Sequence, residues 1–149
     1  NSNAANTPVY DYPLSGSGYA GETSAVVQPT LELTVNGSTA PANVSLGELF
    51  DIVFDLTAGD YSGESGEYWL CVSLNDGDGK YWFVPSQGWV SSATPQRMLS
   101  GAISDFAQPL TVPAVAGMAG PAEVTFAVDD NADGVLDGTW STTVSFTVE

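Results

Sequence analysis

The stretch that decides the fold is residues 124–148, VTFAVDDNADGVLDGTWSTTVSFTV. Apolar side chains occupy every second position near both of its ends, at Val124, Phe126, Val128, Val144, Phe146 and Val148. A period of two is typical of strands that bury one face against a core. The run of Asp, Asn and Gly between the two segments predicts the turn that joins them.

The same alternation continues outward through the rest of the chain. Further strands are predicted at residues 31–35, 44–56, 68–74, 81–84, 98–103 and 110–115. Asn36-Gly37 and the run at 75–79 (NDGDG) are turn signals. Glu48 stands at an even-numbered position where the alternation would place an apolar side chain, which indicates a bulge or a strand start near Gly47. No segment sustains a helical period. The sequence therefore predicts an all-β fold, an Ig-like antiparallel β-sandwich of about seven to nine strands over residues 30–149.

Residues 1–29 have a different composition and are predicted to form an extended N-terminal arm. They are rich in Asn, Ser, Gly, Ala and Pro, and they show no sustained period. A plain spacer would not need the large side chains found there: Val9, Tyr10, Tyr12, Leu14 and Tyr19. We expect these residues to bind a surface, either that of the same molecule or that of a neighbour.

Composition excludes several classes of function. Among 149 residues there are 18 acidic and two basic side chains, no histidine and one cysteine, which gives a formal charge of −16. Such a charge repels nucleic acid and anionic lipid surfaces. No apolar run approaches the ~20 residues of a membrane span, so no membrane insertion is expected. The polar surface made of Ser, Thr, Asn and Gly is common in secreted bacterial β-proteins, and we expect a secreted or cell-surface, extracellular location.

The turn at residues 129–138 has the ligand spacing of a calcium loop. Oxygen-bearing residues and one backbone carbonyl stand at relative positions 1, 3, 5, 7 and 9, namely Asp129, Asn131, Asp133, Val135 and Asp137. Gly134 at position 6 permits the sharp turn around Ca²⁺. Position 12 is Trp140 instead of the bidentate Glu of an EF-hand, and the flanking segments are strands. The sequence thus predicts a structural calcium site in a turn between two strands.

Two questions about this loop stay open at the sequence level. Water or a carboxylate from elsewhere would complete the site, and Asp130, Asp60 and Glu64 are the candidates. The alternative is a plain polar turn, because Asp and Asn favour turn conformations. Four Asp within nine residues repel one another without a cation, which favours calcium. The second acidic turn, residues 75–80, has glycine at two ligand positions and is interpreted as a turn only.

Three segments together resemble a known kind of module. They are LTVNGSTAPANVSLGELFDIVFDLTAGDYSGESGEYWL from residue 33, KYWFVPSQGWV from residue 80 and VTFAVDDNADGVLDGTWSTTVSFTV from residue 124. The chain resembles a recurrent β-sandwich module of secreted and surface proteins from environmental Gram-negative bacteria, which carries a D-x-N-x-D/N-G-x-x-D turn. The resemblance covers about residues 31–148. It implies an Ig-like sandwich, export and metal binding at that turn, and it implies little about the protein's task.

Aromatic residues exceed what a minimal core needs. The chain has four Trp, six Tyr and six Phe, and Trp69 and Trp82 would lie close together if residues 68–74 and 81–84 pair as a hairpin. Core packing, a subunit interface and a sugar-binding platform are the three interpretations. Trp69, Trp82 and Trp89 are the candidate residues for a ligand or an interface. Cys71 is expected to be an inert, buried small side chain.

These observations favour a protein without catalytic activity. The chain has no histidine for a catalytic triad, no G-x-S-x-G elbow and no phosphate-binding glycine loop. The leading hypothesis is a calcium-stabilised structural subunit of a bacterial extracellular or cell-surface assembly, a filament or pilus-like structure. Its arm would contact another copy, or another filament subunit such as the helical core chain of a pilus. The alternative is a carbohydrate-binding or adhesive module of a secreted protein.

Overall fold

The computed structural model describes residues 25–74 and 79–149. These ranges form ten strands and two short 3-10 turns (Gly59–Tyr61 and Ala116–Met118), so the all-β prediction is confirmed. The strands are β1 (Thr30–Val35), β2 (Ala42–Val44), β3 (Leu49–Thr57), β4 (Ser65–Leu74), β5 (Gly79–Val84), β6 (Gly88–Ser91), β7 (Leu99–Ala102), β8 (Phe106–Pro113), β9 (Gly120–Asp129) and β10 (Trp140–Val148). The sequence missed only the short strands β2 and β6.

The strands form a larger and a smaller sheet. The larger one has seven strands in the order β2-β10-β9-β4-β5-β6, with β7 also pairing with β4. The smaller one has three strands in the order β1-β3-β8. All pairs are antiparallel except β2 with β10, which is parallel. The two sheets form the predicted sandwich, and this one parallel pair is the departure from a purely antiparallel arrangement.

Alternation along each strand builds the core between the sheets. In β3 the even positions are buried, and in β4 Tyr68, Leu70, Val72 and Leu74 face the same core. Phenylalanines from opposite sheets meet there: the ring centroids of Phe50 and Phe146 are 5.3 Å apart, and those of Phe54 and Phe126 are 5.1 Å apart. Side chains that interdigitate in this way hold the two layers together through burial of apolar area.

One predicted turn is found where the sequence placed it, and the turn predicted at residues 75–79 lies, but for Gly79, outside the described residues. Asn36 and Gly37 both have positive φ (51° and 82°), the combination that a type I′ turn requires. The Asn36 side-chain carbonyl then accepts a hydrogen bond from the Asp51 N–H at 2.9 Å, which ties the turn to β3. β3 begins at Leu49, so the irregularity predicted near Gly47 is a strand start.

The sandwich has two distinct ends. We call one the loop end, after the acidic turn, and the other the groove end, after an apolar cleft described below. Tyr68, Val128 and Trp140 lie side by side at the loop end, where β9 runs into the acidic turn. Leu74 and Phe146 flank Ala122 at the groove end. Six residues of strand separate the two ends, or about 20 Å at 3.3 Å per residue.

The last residues of the predicted arm are fixed to the loop end. The Val27 N–H donates to the Asp60 carboxylate at 2.7 Å, and the Asp60 N–H donates back to the Val27 carbonyl at 3.0 Å. A Cβ on Gly59 would lie 2.6 Å from that carbonyl, so glycine is needed for this close approach. The Gln28 side chain accepts a hydrogen bond from the Trp140 indole at 3.2 Å.

The other arm residues of the sequence prediction, Val9, Tyr10, Tyr12, Leu14 and Tyr19, lie outside the described residues. Within residues 25–74 and 79–149, no helix has the length and apolar character needed to cross a membrane.

Candidate functional site

The acidic loop of residues 130–139 connects β9 to β10, between two strands as predicted. Asp129 is the last residue of β9, and Trp140 is the first of β10. Gly134 has φ +81°, the left-handed conformation that the sharp turn at position 6 requires. Gly134 therefore provides a tight turn at position 6 of the motif.

Asp129 fastens the loop from inside. It is fully buried, and its two carboxylate oxygens accept four hydrogen bonds. Oδ2 accepts from the Trp69 indole at 3.1 Å and from the Asp137 N–H at 2.8 Å. Oδ1 accepts from the Gly138 and Thr139 N–H groups at 2.7 and 3.1 Å. A carboxylate has about four acceptor positions, so those of Asp129 are filled by protein donors.

Glu67 holds the loop at a second point. It is also fully buried, and both of its oxygens lie near the Gly134 N–H, at 3.1 and 3.0 Å. The Arg97 guanidinium forms an ion pair with the same carboxylate. Arg97 is one of only two basic residues in the chain. The strand β4 thus supplies a carboxylate that binds the middle of the loop, and Arg97 compensates its charge.

A small apolar cluster lies under the loop, on the outer face of the larger sheet. It consists of Trp69, Cys71, Trp82 and Ala127, and Leu136 of the loop packs against it. The two indoles meet edge to face with centroids 6.5 Å apart, as the predicted hairpin requires. The loop is therefore a cover for this cluster as well as a connection between strands.

The location of these indoles corrects one interpretation. Only 2% of Trp69 and 5% of Trp82 is exposed, and the Trp82 indole donates to the Ser92 carbonyl at 3.0 Å. Neither ring can stack on a sugar or a partner without displacing the loop, so the ligand interpretation of this pair is wrong. Trp89 differs, because it lies half-buried on the inner face of β6. It packs on Phe83, with the two ring centroids 5.4 Å apart.

Cys71 belongs to the same cluster and is buried, as expected. Burial raises the pKa of its thiol to about 11, and the positive charge of Lys80 opposes that shift only in part. The thiolate is the reactive form of cysteine, so a high pKa and burial together make Cys71 an inert packing residue.

The remaining residues of the motif face one another around the turn. The Asn131 amide donates to the Asp137 carboxylate at 2.9 Å, and the Val135 N–H donates to Asp133 Oδ1 at 3.0 Å. Across the described ranges, no three carboxylate, thiolate or imidazole groups are gathered as a metal site. Because Asp129 is engaged elsewhere, the residues that fit an ion are Asn131, Asp133 and Asp137 with the Val135 carbonyl. Calcium binding by this loop stays a prediction.

The carboxylate from outside that binds the loop is Glu67, whereas Asp60 accepts a hydrogen bond from Val27. Sequence reasoning proposed Asp130, Asp60 and Glu64 and missed Glu67, Trp69 and Arg97 as partners of the loop. The sequence did hold one signal that Glu67 needs a binding partner. Glu67 shares the odd-numbered face of β4 with Trp69 and Cys71, and an acidic residue on an apolar face needs a cation or N–H donors nearby.

Comparisons with known proteins find similarity of shape alone. No protein-family model matches the chain, and no curated protein matches it either. A solved structure that it resembles is the CARDB domain of a Pyrococcus furiosus protein in complex with di-metal ions, at 13% identity and a TM-score of 0.43, over 85% of this chain and 97% of that one. Another is the alkylpurine DNA glycosylase AlkC of Pseudomonas fluorescens bound to DNA with an abasic site analog, at 14% identity and a TM-score of 0.43, over 84% of this chain and 31% of that one. Similarities this distant carry no conclusion about activity or ligands.

Proposed function

We propose that this protein is a non-catalytic structural subunit of a bacterial extracellular or cell-surface assembly. In this proposal the sandwich is the rigid body of the subunit, the acidic loop is its calcium-responsive element, and the N-terminal arm makes the contacts between subunits. The resemblance of residues 31–148 to secreted β-sandwich modules supports the location, and the composition of the arm supports the contact.

The observation that carries the proposal is that the buried polar groups bind and cover parts of the protein itself. Both buried carboxylates, Glu67 and Asp129, bind donors that fasten the loop, and the Cys71 thiol is covered by the same loop. A catalytic carboxylate or thiol must instead face a substrate with a free oxygen or sulfur. The groups that could have supplied chemistry here maintain the structure, which is what a scaffold protein requires.

The attachment of residues 25–29 supports a role of the arm in assembly. Hydrogen bonds to Asp60 and Trp140 hold these residues at the loop end, so residues 1–24 start from a fixed point on the body. Twenty-four residues can extend up to about 80 Å, which is enough to reach a neighbouring molecule. A sugar-binding role is not proposed, because the rings of Trp69 and Trp82 are covered.

Sedimentation velocity of the full chain, combined with electron microscopy, tests the proposal. We expect larger species to grow as protein concentration rises. Because copies with a charge of −16 repel one another, assembly should be stronger at ~0.15 M salt, where the screening length is about 8 Å, than at ~0.01 M, where it is about 30 Å. A single monomeric species at every concentration and in both salts, with and without millimolar calcium, would contradict the proposal.

A further inference from the structure

The groove end carries an apolar cleft between the two sheets. Val72, Leu74, Tyr81 and Trp89 of the larger sheet form one wall, and Val112 of β8 with Val115 and Met118 beyond it form the other. The cleft has a volume of about 230 Å³, and within residues 25–74 and 79–149 no charged side chain lines it. Ligand pockets usually measure about 300–1,000 Å³, so this cleft suits one large side chain better than a small molecule.

The cleft exists because the sheets differ in width. The larger sheet continues beyond β4 with β5 and β6, whereas the smaller sheet, within residues 25–74 and 79–149, ends at β8. With strands about 4.8 Å apart, its three strands cannot cover the six-strand width of the larger sheet. Among the described strands none lies opposite the inner faces of β5 and β6, and Tyr81 is 36% exposed there. An apolar cleft in so acidic a surface is the candidate contact site.

We propose that this cleft is the receptor for the N-terminal arm of a second copy of the chain, which would join subunits head to tail. This inference rests on the proposed function and names the surface that the arm binds. The occupant is the segment of residues 9–14, with Leu14 as the one large side chain that enters the cleft.

The positions of the arm and the cleft determine the polarity of the contact. Residues 25–29 are fixed at the loop end, next to Asp60 and Trp140. The cleft lies at the other end of the sandwich, around Leu74 and Val112. A donor at one end and a receptor at the opposite end form a heterologous contact, and such contacts generate open chains when the rotation between subunits does not close a ring.

Charge favours the same pairing. Two bodies with a charge of −16 repel each other wherever their acidic surfaces meet. Residues 1–21 hold one charged side chain, Asp11, and the described residues that line the cleft hold none. The arm and the cleft are thus the two parts of the molecule that can approach each other with little electrostatic cost.

The edge of β8 indicates how the arm binds. Among the described strands β8 pairs only with β3, and its other edge runs beside the cleft. Pro109 and Pro113 lie four residues apart, hence on the same side of the strand, and proline in a sheet directs its missing donor to a free edge. This edge is a poor template for an added strand. The arm therefore binds by inserting side chains, not by strand addition at β8.

Two exposed apolar residues offer a matched test. Val115 is 55% exposed at the rim of the cleft, and Leu99 is 55% exposed next to Tyr68 at the opposite end. Val115→Asp and Leu99→Asp add the same charge at equal exposure, and equal melting temperatures would show that both fold. We expect Leu99→Asp to assemble like the parent in sedimentation velocity, and Val115→Asp and Leu14→Asp to stay monomeric at tenfold higher concentration.

Mixing the two defective variants tests the polarity. Val115→Asp keeps its arm and Leu14→Asp keeps its cleft, so each mixed pair can form one contact and no more. We expect one-to-one heterodimers without longer chains. If Val115→Asp assembles like the parent, or if the mixture stays monomeric, the cleft is not the receptor, although the assembly function stands. If the parent itself never assembles, the proposed function fails together with this inference.

Discussion

Asp129 and Glu67 are carboxylates in places that water does not reach. Burying an isolated carboxylate costs several kcal/mol unless its lone pairs meet donors. The two residues meet that requirement differently: Asp129 collects three backbone N–H groups and an indole, and Glu67 combines one backbone N–H with the Arg97 guanidinium. Both therefore hold the ten-residue loop through hydrogen bonds to its backbone.

Asp129→Asn tests the first of these arrangements. The amide keeps the shape of the side chain but puts an NH₂ group where an oxygen accepted two hydrogen bonds, so at least two N–H donors lose their partner. We expect the free energy of unfolding, measured by urea denaturation, to fall by about 3 kcal/mol, with or without calcium. Asp130→Asn, at an exposed neighbour, is the control. A loss within about 0.5 kcal/mol, the usual range for a surface substitution, would contradict the assigned role.

Arg97→Ala tests the second arrangement. It leaves the buried Glu67 carboxylate with the Gly134 N–H alone, and the half-exposed position of Arg97 moderates the loss, which we expect to be about 2 kcal/mol in the same assay. Lys80→Ala removes the only other basic side chain and changes the net charge equally. If both variants lose the same stability, general charge repulsion explains the effect and the ion pair does not.

The Cys71 thiol predicts a dependence on alkaline pH. Its pKa is raised from 9.0 to about 11 by burial, so the folded chain keeps a proton that the unfolded chain releases. Stability from this group is present below pH 9.0 and is lost as the pH rises through about 11. We expect Cys71→Ala to show a smaller fall in unfolding free energy across that window, while the parent thiol stays unreactive toward a thiol reagent at neutral pH until urea is added. An equal fall in both proteins would contradict the assignment.

At the scale of elements, alternation predicted the long strands because one face of each is buried. Val124, Phe126 and Val128 carry that signal plainly, and so do the even positions of β3. β2 and β6 were missed because they are three and four residues long, too short for a period to show. Glu67 could not be assigned to the loop because its contact spans 67 residues and depends on the pairing of β4 with β9, which a sequence does not display.

The acidic loop predicts a modest response to calcium. If Asn131, Asp133 and Asp137 bind the ion with a Kd of about 10⁻⁴–10⁻³ M, then ~10 mM calcium should add about 1.4–2.7 kcal/mol to the unfolding free energy. Asp133→Ala should abolish this response, and in the presence of a chelator it should change stability little. Asp129→Asn should keep the gain in unfolding free energy that calcium gives, while lowering the unfolding free energy measured without calcium. A melting curve that calcium leaves unchanged would remove the ion from the proposal and leave the hydrogen-bonded loop in place.

At the scale of the molecule, the arrangement of features gives the body a direction. The fixed root of the arm and the acidic loop lie at one end, and the apolar cleft lies at the other. Alternation predicts strands but not how many strands each sheet receives, so the sequence could not reveal the uncovered faces of β5 and β6. The inequality of the described sheets, seven strands against three, is what creates the cleft.

Disulfide trapping tests the head-to-tail contact most directly. In a Cys71→Ala background, Leu14→Cys combined with Val115→Cys should form an oxidation-dependent ladder of dimers, trimers and longer chains on a non-reducing gel. Leu14→Cys combined with Leu99→Cys, at an equally exposed position of the opposite end, is the matched control and should give no ladder. The predicted result is a ladder for the pair with Val115→Cys and none for the control. A monomer with an internal disulfide would place the arm on its own body, and no cross-link, or an equal ladder in the control, would likewise contradict the contact.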